Sequence, residues 1–107
     1  MKIVLLVPDL DGAGAHDVAL ARRWLDRSGL AGLTLFEADI GDAGRVRHGT
    51  AFPVETQTML AHADAAFAPC SVRDEDIRKI VVPLIRPAEA GETALLAALQ
   101  DWLKRGR

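Results

Sequence analysis

Apolar positions in this chain fall into two kinds of segment: short unbroken runs, and longer stretches with an apolar residue every third or fourth place. Ile3 to Val7 is the first run, continuous and β-branched, the pattern of a strand covered on both faces in a parallel sheet. It stops at Pro8-Asp9-Leu10-Asp11-Gly12-Ala13-Gly14, which reads as a turn. From Ala15 or His16 to Ser28, the residues Val18, Ala21 and Leu25, joined by Leu20 and Trp24, follow helical spacing. Gly29 stands where a helix C-cap glycine belongs. Leu33 to Phe36 is a second strand ending in Glu37-Ala38-Asp39, which completes a βαβ unit with an expected right-handed crossover.

Gly41 to Thr50 is polar and glycine-rich and holds Arg45, Arg47 and His48, a connection that is either mobile or a lid. Pro53 suits the first turn of a helix running to about Ala63. Ala65 to Ala68, bounded by Asp64 and Pro69, is a buried strand that delivers Cys70 to a polar turn. Ile80 to Ile85 is a further strand, in which Pro83 removes one ladder donor and so points to an edge or an irregular pairing. Gly91 and Glu92 introduce a last helix with Leu95, Leu99 and Trp102 in one stripe, closed by Lys104, Arg105 and Gly106. Strands alternating with helices predict an α/β fold: a small, doubly wound, mostly parallel sheet of four to five strands, with helices on both faces. Trp24 and Trp102 are expected to cover an edge of that sheet or to lie at a subunit contact.

Length and composition narrow the picture. The 107 residues make one domain, spanning residues 1–107 and large enough to fold without disulfides or metal. A single cysteine excludes an internal disulfide framework and fits a reducing cytoplasm. A net charge of −2 argues against nucleic-acid and anionic-membrane partners, which select a basic face. No apolar run approaches the roughly 18 residues that span a bilayer.

Chemistry concentrates on Cys70. At the carboxyl end of a strand in an open α/β sheet it occupies the edge where ligands bind. Ser71 and Asp74 have capping-box spacing, so a short helix is expected directly after the cysteine, its amino end favouring a thiolate. Asp74, Glu75 and Asp76 oppose a thiolate, with Arg73 as the nearby cation. The two readings of Cys70 are an inert packed residue and a nucleophile. Gly12 and Gly14 invite a phosphate reading, with Glu37 near the place of a ribose-binding acid, but Asp17 occupies the third glycine position of that motif and repels a pyrophosphate. The competing reading is a tight strand-to-helix turn. His16, His48 and His62 show no metal-ligand spacing, and no nucleotide-binding or hydrolase motif is present, so neither a metal nor a cofactor is expected.

The succession Leu33-Thr34-Leu35-Phe36-Glu37-Ala38-Asp39, a helix with Gln57-Thr58-Met59-Leu60, and a strand ending in Cys70 with Arg73 three residues on resembles the DsrE-like sulfur-relay family. The Ile3 to Ser28 opening and the segment from Leu84 through Gly91 into the Leu95 to Trp102 helix are similar as well. The resemblance covers most of the chain in loose pieces, and implies that Cys70 carries a persulfide and that the chain assembles as a homo-oligomer. The chain departs from the family in ending on its last helix and in its acidic run after Cys70. Two fainter resemblances are to the opening of a GT-B glycosyltransferase, in Val7 to Ala15, and to the amino-terminal region of isocitrate and isopropylmalate dehydrogenases, in Gly49 to Thr56. Either would make the chain a remnant of a larger enzyme.

Two functions follow from this reading. One is a sulfur carrier or sulfurtransferase, with Cys70 as nucleophile, Arg73 as its cation, the Arg45 to His48 loop covering it, and a sulfur-donor or sulfur-acceptor protein as partner. The other is a non-catalytic module that binds a small anion or a partner protein at the same sheet edge, through Gly12, Gly14, Ser71, Arg45 and His48.

Overall fold

The computed structural model describes residues 1–7, 12–40, 54–72, 74–78, 80–89 and 91–105, and the backbone alone of residues 12–14, 39 and 76. The unbroken apolar run becomes β1 (Lys2–Val7) at the interior of the sheet, because residues apolar on both sides need cover on both faces. It pairs in parallel with β2 (Thr34–Asp39) on one side and with β3 (Ala65–Phe67) on the other, and β4 (Leu84–Ile85) pairs in parallel with β3. The strand order is β2-β1-β3-β4. The helices are α1 (Gly12–Arg27), α2 (Val54–Ala61), the single-turn α3 (Asp74–Ile77) and α4 (Glu92–Arg105).

Side chains of successive β1 residues point to opposite faces, and the core divides accordingly. Ile3 and Leu5 join Ala65, Phe67 and Ile85 beneath Val18, Ala21 and Leu25 of α1 and Leu95 and Leu99 of α4. Val4 and Leu6 join Ala66, Ala68 and Val72 with Leu60 of α2, flanked by Ile77 and Ile80. Trp24 and Trp102 are half-buried against the first of these clusters.

The starts of α1 and β4 differ most from the sequence reading. Helix α1 begins at Gly12, so Gly12 and Gly14 lie in its first turn and do not form a separate glycine turn. First-turn amides need no partner within the helix, so glycine is tolerated there better than in a helix interior. The run Ile80 to Ile85 contributes only Leu84 and Ile85 to the sheet. Pro83 explains the contraction: its carbonyl accepts from Ala66 N–H at 2.9 Å, but it has no N–H to return.

The amino edge of the sheet is held by one backbone bond and one to a carboxylate. Lys2 N–H donates to the Asp64 carboxylate at 2.7 Å, and Asp64 N–H donates to the Lys2 carbonyl at 2.7 Å. Glu37, read from sequence as a possible ribose acid, is instead paired with Arg22 at 2.7 Å across α1 and β2. Helix α1 ends as its sequence predicts, with Gly29 at φ 76°. A Cβ there meets nothing within 4 Å, so Gly29→Ala costs backbone strain alone, about 1 kcal/mol. Gly29→Asn, which tolerates that conformation better, is expected to lose less; urea denaturation of the two variants checks the order.

Candidate active site

Strand β3 carries the chain to the carboxyl edge of the sheet and is fully buried throughout. The last ladder bond on this side runs from Ala68 N–H to the Ile85 carbonyl at 3.0 Å. Pro69, buried and without an N–H, ends the strand. Its carbonyl accepts from Val72 N–H at 3.0 Å, closing a four-residue turn with Cys70 and Ser71 at its centre. Val72, 3% exposed, is packed into the second core cluster and anchors the turn from below. Cys70 is half-buried and Ser71 is exposed.

Arg86, immediately after β4, fixes both ends of this turn. One guanidinium nitrogen donates to the Pro69 carbonyl at 2.9 Å, and the other donates to the Val72 carbonyl at 2.8 Å. The second nitrogen also reaches the Asp74 carboxylate at 3.3 Å. The Arg86 side chain is 23% exposed and that of Asp74 is 86% exposed. Two of the three acceptors are neutral carbonyls and the third is a solvated carboxylate, so the cation is held mainly by backbone oxygens, a geometry that the planar guanidinium fork serves better than an ammonium.

The position of the turn follows from topology. From β1 the chain goes first to β2, then returns as β3 on the other side of β1. The crevice between the carboxyl ends of β1 and β3 is therefore the topological switch point of the sheet, where ligands of open α/β sheets bind. The register sets Leu5 against Phe67, which brings Val7 and Pro69 to the same edge. Helix α1 begins just beyond β1, so Gly12, Gly14, Cys70 and Ser71 share that edge, joined by Arg86 from β4.

The remaining candidates are placed as follows. Arg73, Arg45 and His48 lie outside the described residues. The helix after the cysteine exists, but α3 starts at Asp74. With that start Ser71 is a turn residue and does not form the expected capping box with Asp74. Cys70 is thus presented by a turn, two residues further from the helix than the capping-box reading had it. His16 and His62 are exposed, and His62 sits before β3, at the opposite edge from Cys70. Among the described residues no group of three His, Cys, Asp or Glu side chains could hold a metal ion, and no helix is long and apolar enough to cross a membrane.

No family model, curated protein or solved structure matches this chain. What the structure shows at this turn is a half-buried cysteine between two clamped carbonyls, on the sheet edge that holds the switch point. Arg86 is the residue of this site that the sequence reading missed. The available signal was its position directly after a strand that ends at the same edge as Cys70.

Proposed function

We propose that this protein is a small sulfur carrier of the DsrE-like kind, working in the cytoplasm as a homo-oligomer, with Cys70 as the sulfur-bearing nucleophile. The observation that carries the reading is the placement of Cys70 at the centre of a clamped turn on the carboxyl edge of the sheet, beside the switch point. A cysteine kept only for packing belongs inside one of the two core clusters, and Cys70 is in neither.

The chemistry is thiol–persulfide exchange. The Cys70 thiolate attacks the terminal sulfur of a donor persulfide, the donor's S–S bond breaks, and the donor sulfur leaves as a thiolate with the bonding pair. The product is a Cys70 persulfide. An acceptor thiolate then attacks the same terminal sulfur, and Cys70 departs as a thiolate. No external oxidant or reductant enters, because each S–S bond broken is replaced by another. Donor and acceptor are proteins or small thiols that reach the sheet edge.

Alkylation tests the reading. Cys70 in the native protein is expected to react with iodoacetamide near neutral pH at a rate comparable to that of a free thiol or faster, and Cys70→Ser is expected to keep the melting temperature within about 2 °C of wild type, since a half-exposed hydroxyl meets water. A native thiol that reacts only after denaturation, together with a destabilised Cys70→Ser, would assign the residue to packing.

A further inference from the structure

The outer side of β4 is an open sheet edge: among the described residues no strand pairs there. Ala66 N–H donates to the Pro83 carbonyl and Ala68 N–H to the Ile85 carbonyl, so residues 83 and 85 turn their backbone groups toward β3, and Leu84 turns its N–H and C=O outward. The donor that Pro83 lacks is therefore on the β3 side. The outer edge keeps its own donor and acceptor, and proline does not blunt it.

The topology of the described elements leads none of them to that edge. Helices α1 and α4 cover the same face of the sheet. On that face, the right-handed crossover from β1 through α1 leads toward the β2 end. A right-handed crossover through α4 leads the same way, toward β3, whose place beside β4 is taken. Among the described residues none occupies the outer side of β4, which leaves that edge open to a second molecule.

The wall beside this edge identifies the molecule. A groove of ≈ 820 Å³ runs along Pro83, Leu84, Ile85 and Arg86 on the strand side, with Ala98, Asp101, Trp102 and Arg105 on the α4 side. The four α4 residues are spaced i, i+3, i+4, i+7 and form one stripe of the helix. Asp101 and Arg105 pair within that stripe, both with exposed side chains, 56% and 78%. A stripe carrying an acid and a base one turn apart is complementary to its own copy run in reverse: Asp101 then faces Arg105 of the second copy, and Arg105 faces its Asp101. A two-fold axis at the β4 edge imposes that reversal, setting both β4 against β4 and α4 against α4 antiparallel. Val81, 93% exposed, is apolar surface next to the same edge.

We propose that the open edge of β4 and the Ala98 to Arg105 stripe of α4 form the seam of a symmetric homodimer, with Leu84 pairing across the axis, Trp102 packed in the groove, and Asp101 and Arg105 bridging reciprocally between copies. This gives the assembly its surface and is independent of whether Cys70 carries sulfur.

Charge reversal tests it. By sedimentation at micromolar protein, the wild-type chain is expected to be a dimer, and Asp101→Arg and Arg105→Asp are each expected to weaken association by at least about tenfold, since each sets like charges together across the axis. An equimolar mixture of the two single variants is expected to dimerise again, and the double variant is expected to associate like wild type. Both positions are solvent-exposed, so circular dichroism should show all variants folded. A monomeric wild type, a dimer indifferent to both single reversals, or single variants that fail to rescue each other would each overturn the proposal.

Discussion

Phe67→Ala is expected to destabilise the protein by about 3–5 kcal/mol, the usual result of emptying a fully buried aromatic site. Phe67 is 0% exposed and sits in β3 between β1 and β4. It contributes to the cluster that Leu25, Leu95 and Leu99 close from α1 and α4, so its loss loosens both helices from the sheet at once. With typical domain stabilities of about 5–15 kcal/mol, the variant keeps a fraction of its margin. The melting temperature should fall by more than about 12 °C, at roughly 4 °C or more per kcal/mol for a domain near this size. Phe67→Leu preserves most of the volume and is expected to cost less than about half as much. Thermal melts of the two variants separate a packing effect from a general intolerance of change at this position.

Arg86→Ala is the second large effect, about 1.5–3 kcal/mol, because charge-assisted hydrogen bonds to two turn carbonyls disappear together. The Pro69 carbonyl keeps its bond from Val72 N–H, whereas the Val72 carbonyl loses the guanidinium that serves it. The loss is therefore local as well as global: the amide of Val72 should exchange with solvent faster relative to the amides of β1 and β3. Arg86→Lys keeps the charge but cannot reach both carbonyls with a planar fork, so it is expected to recover less than half of the lost stability. Hydrogen exchange with mass or NMR detection reads the turn, and denaturation reads the whole. Equal stability in all three proteins would remove Arg86 from the account of the site.

The sheet was legible in the sequence because each strand that it buries on both faces is an unbroken apolar run, as in Ile3 to Val7 and Ala65 to Ala68. Gly29 was legible for a different reason: a helix end needs a residue that accepts positive φ, and glycine supplies it locally. What failed were signals with two local meanings. Ser71-x-x-Asp74 fits a capping box, but it equally fits a turn followed by a helix whose first residue is acidic, which the helix dipole favours. Gly12-x-Gly14 fits a turn ahead of the helix and equally the tolerant first turn of the helix itself, where it stands.

Arg86 was hidden by distance. The two carbonyls it clamps lie 14 and 17 residues back along the chain, and no side-chain pattern records a backbone oxygen. Only the parallel pairing of β4 with β3 brings the end of one strand to the turn after the other. The β4 edge was half legible: Pro83 announced an irregular edge strand, but which side of the strand lacks the donor depends on register, and register comes from the fold.

The central claim is that Cys70 carries transferable sulfur, and the most direct measurement is intact mass after incubation with a sulfane donor such as polysulfide, followed by exposure to an excess of small thiol. The account predicts that the native protein gains one sulfur atom, that peptide mapping places it on Cys70, that the thiol removes it again, and that Cys70→Ser gains none. A wild-type protein that stays at its unmodified mass when folded, yet is readily modified once denatured, would contradict the claim and leave Cys70 as a residue of the turn alone.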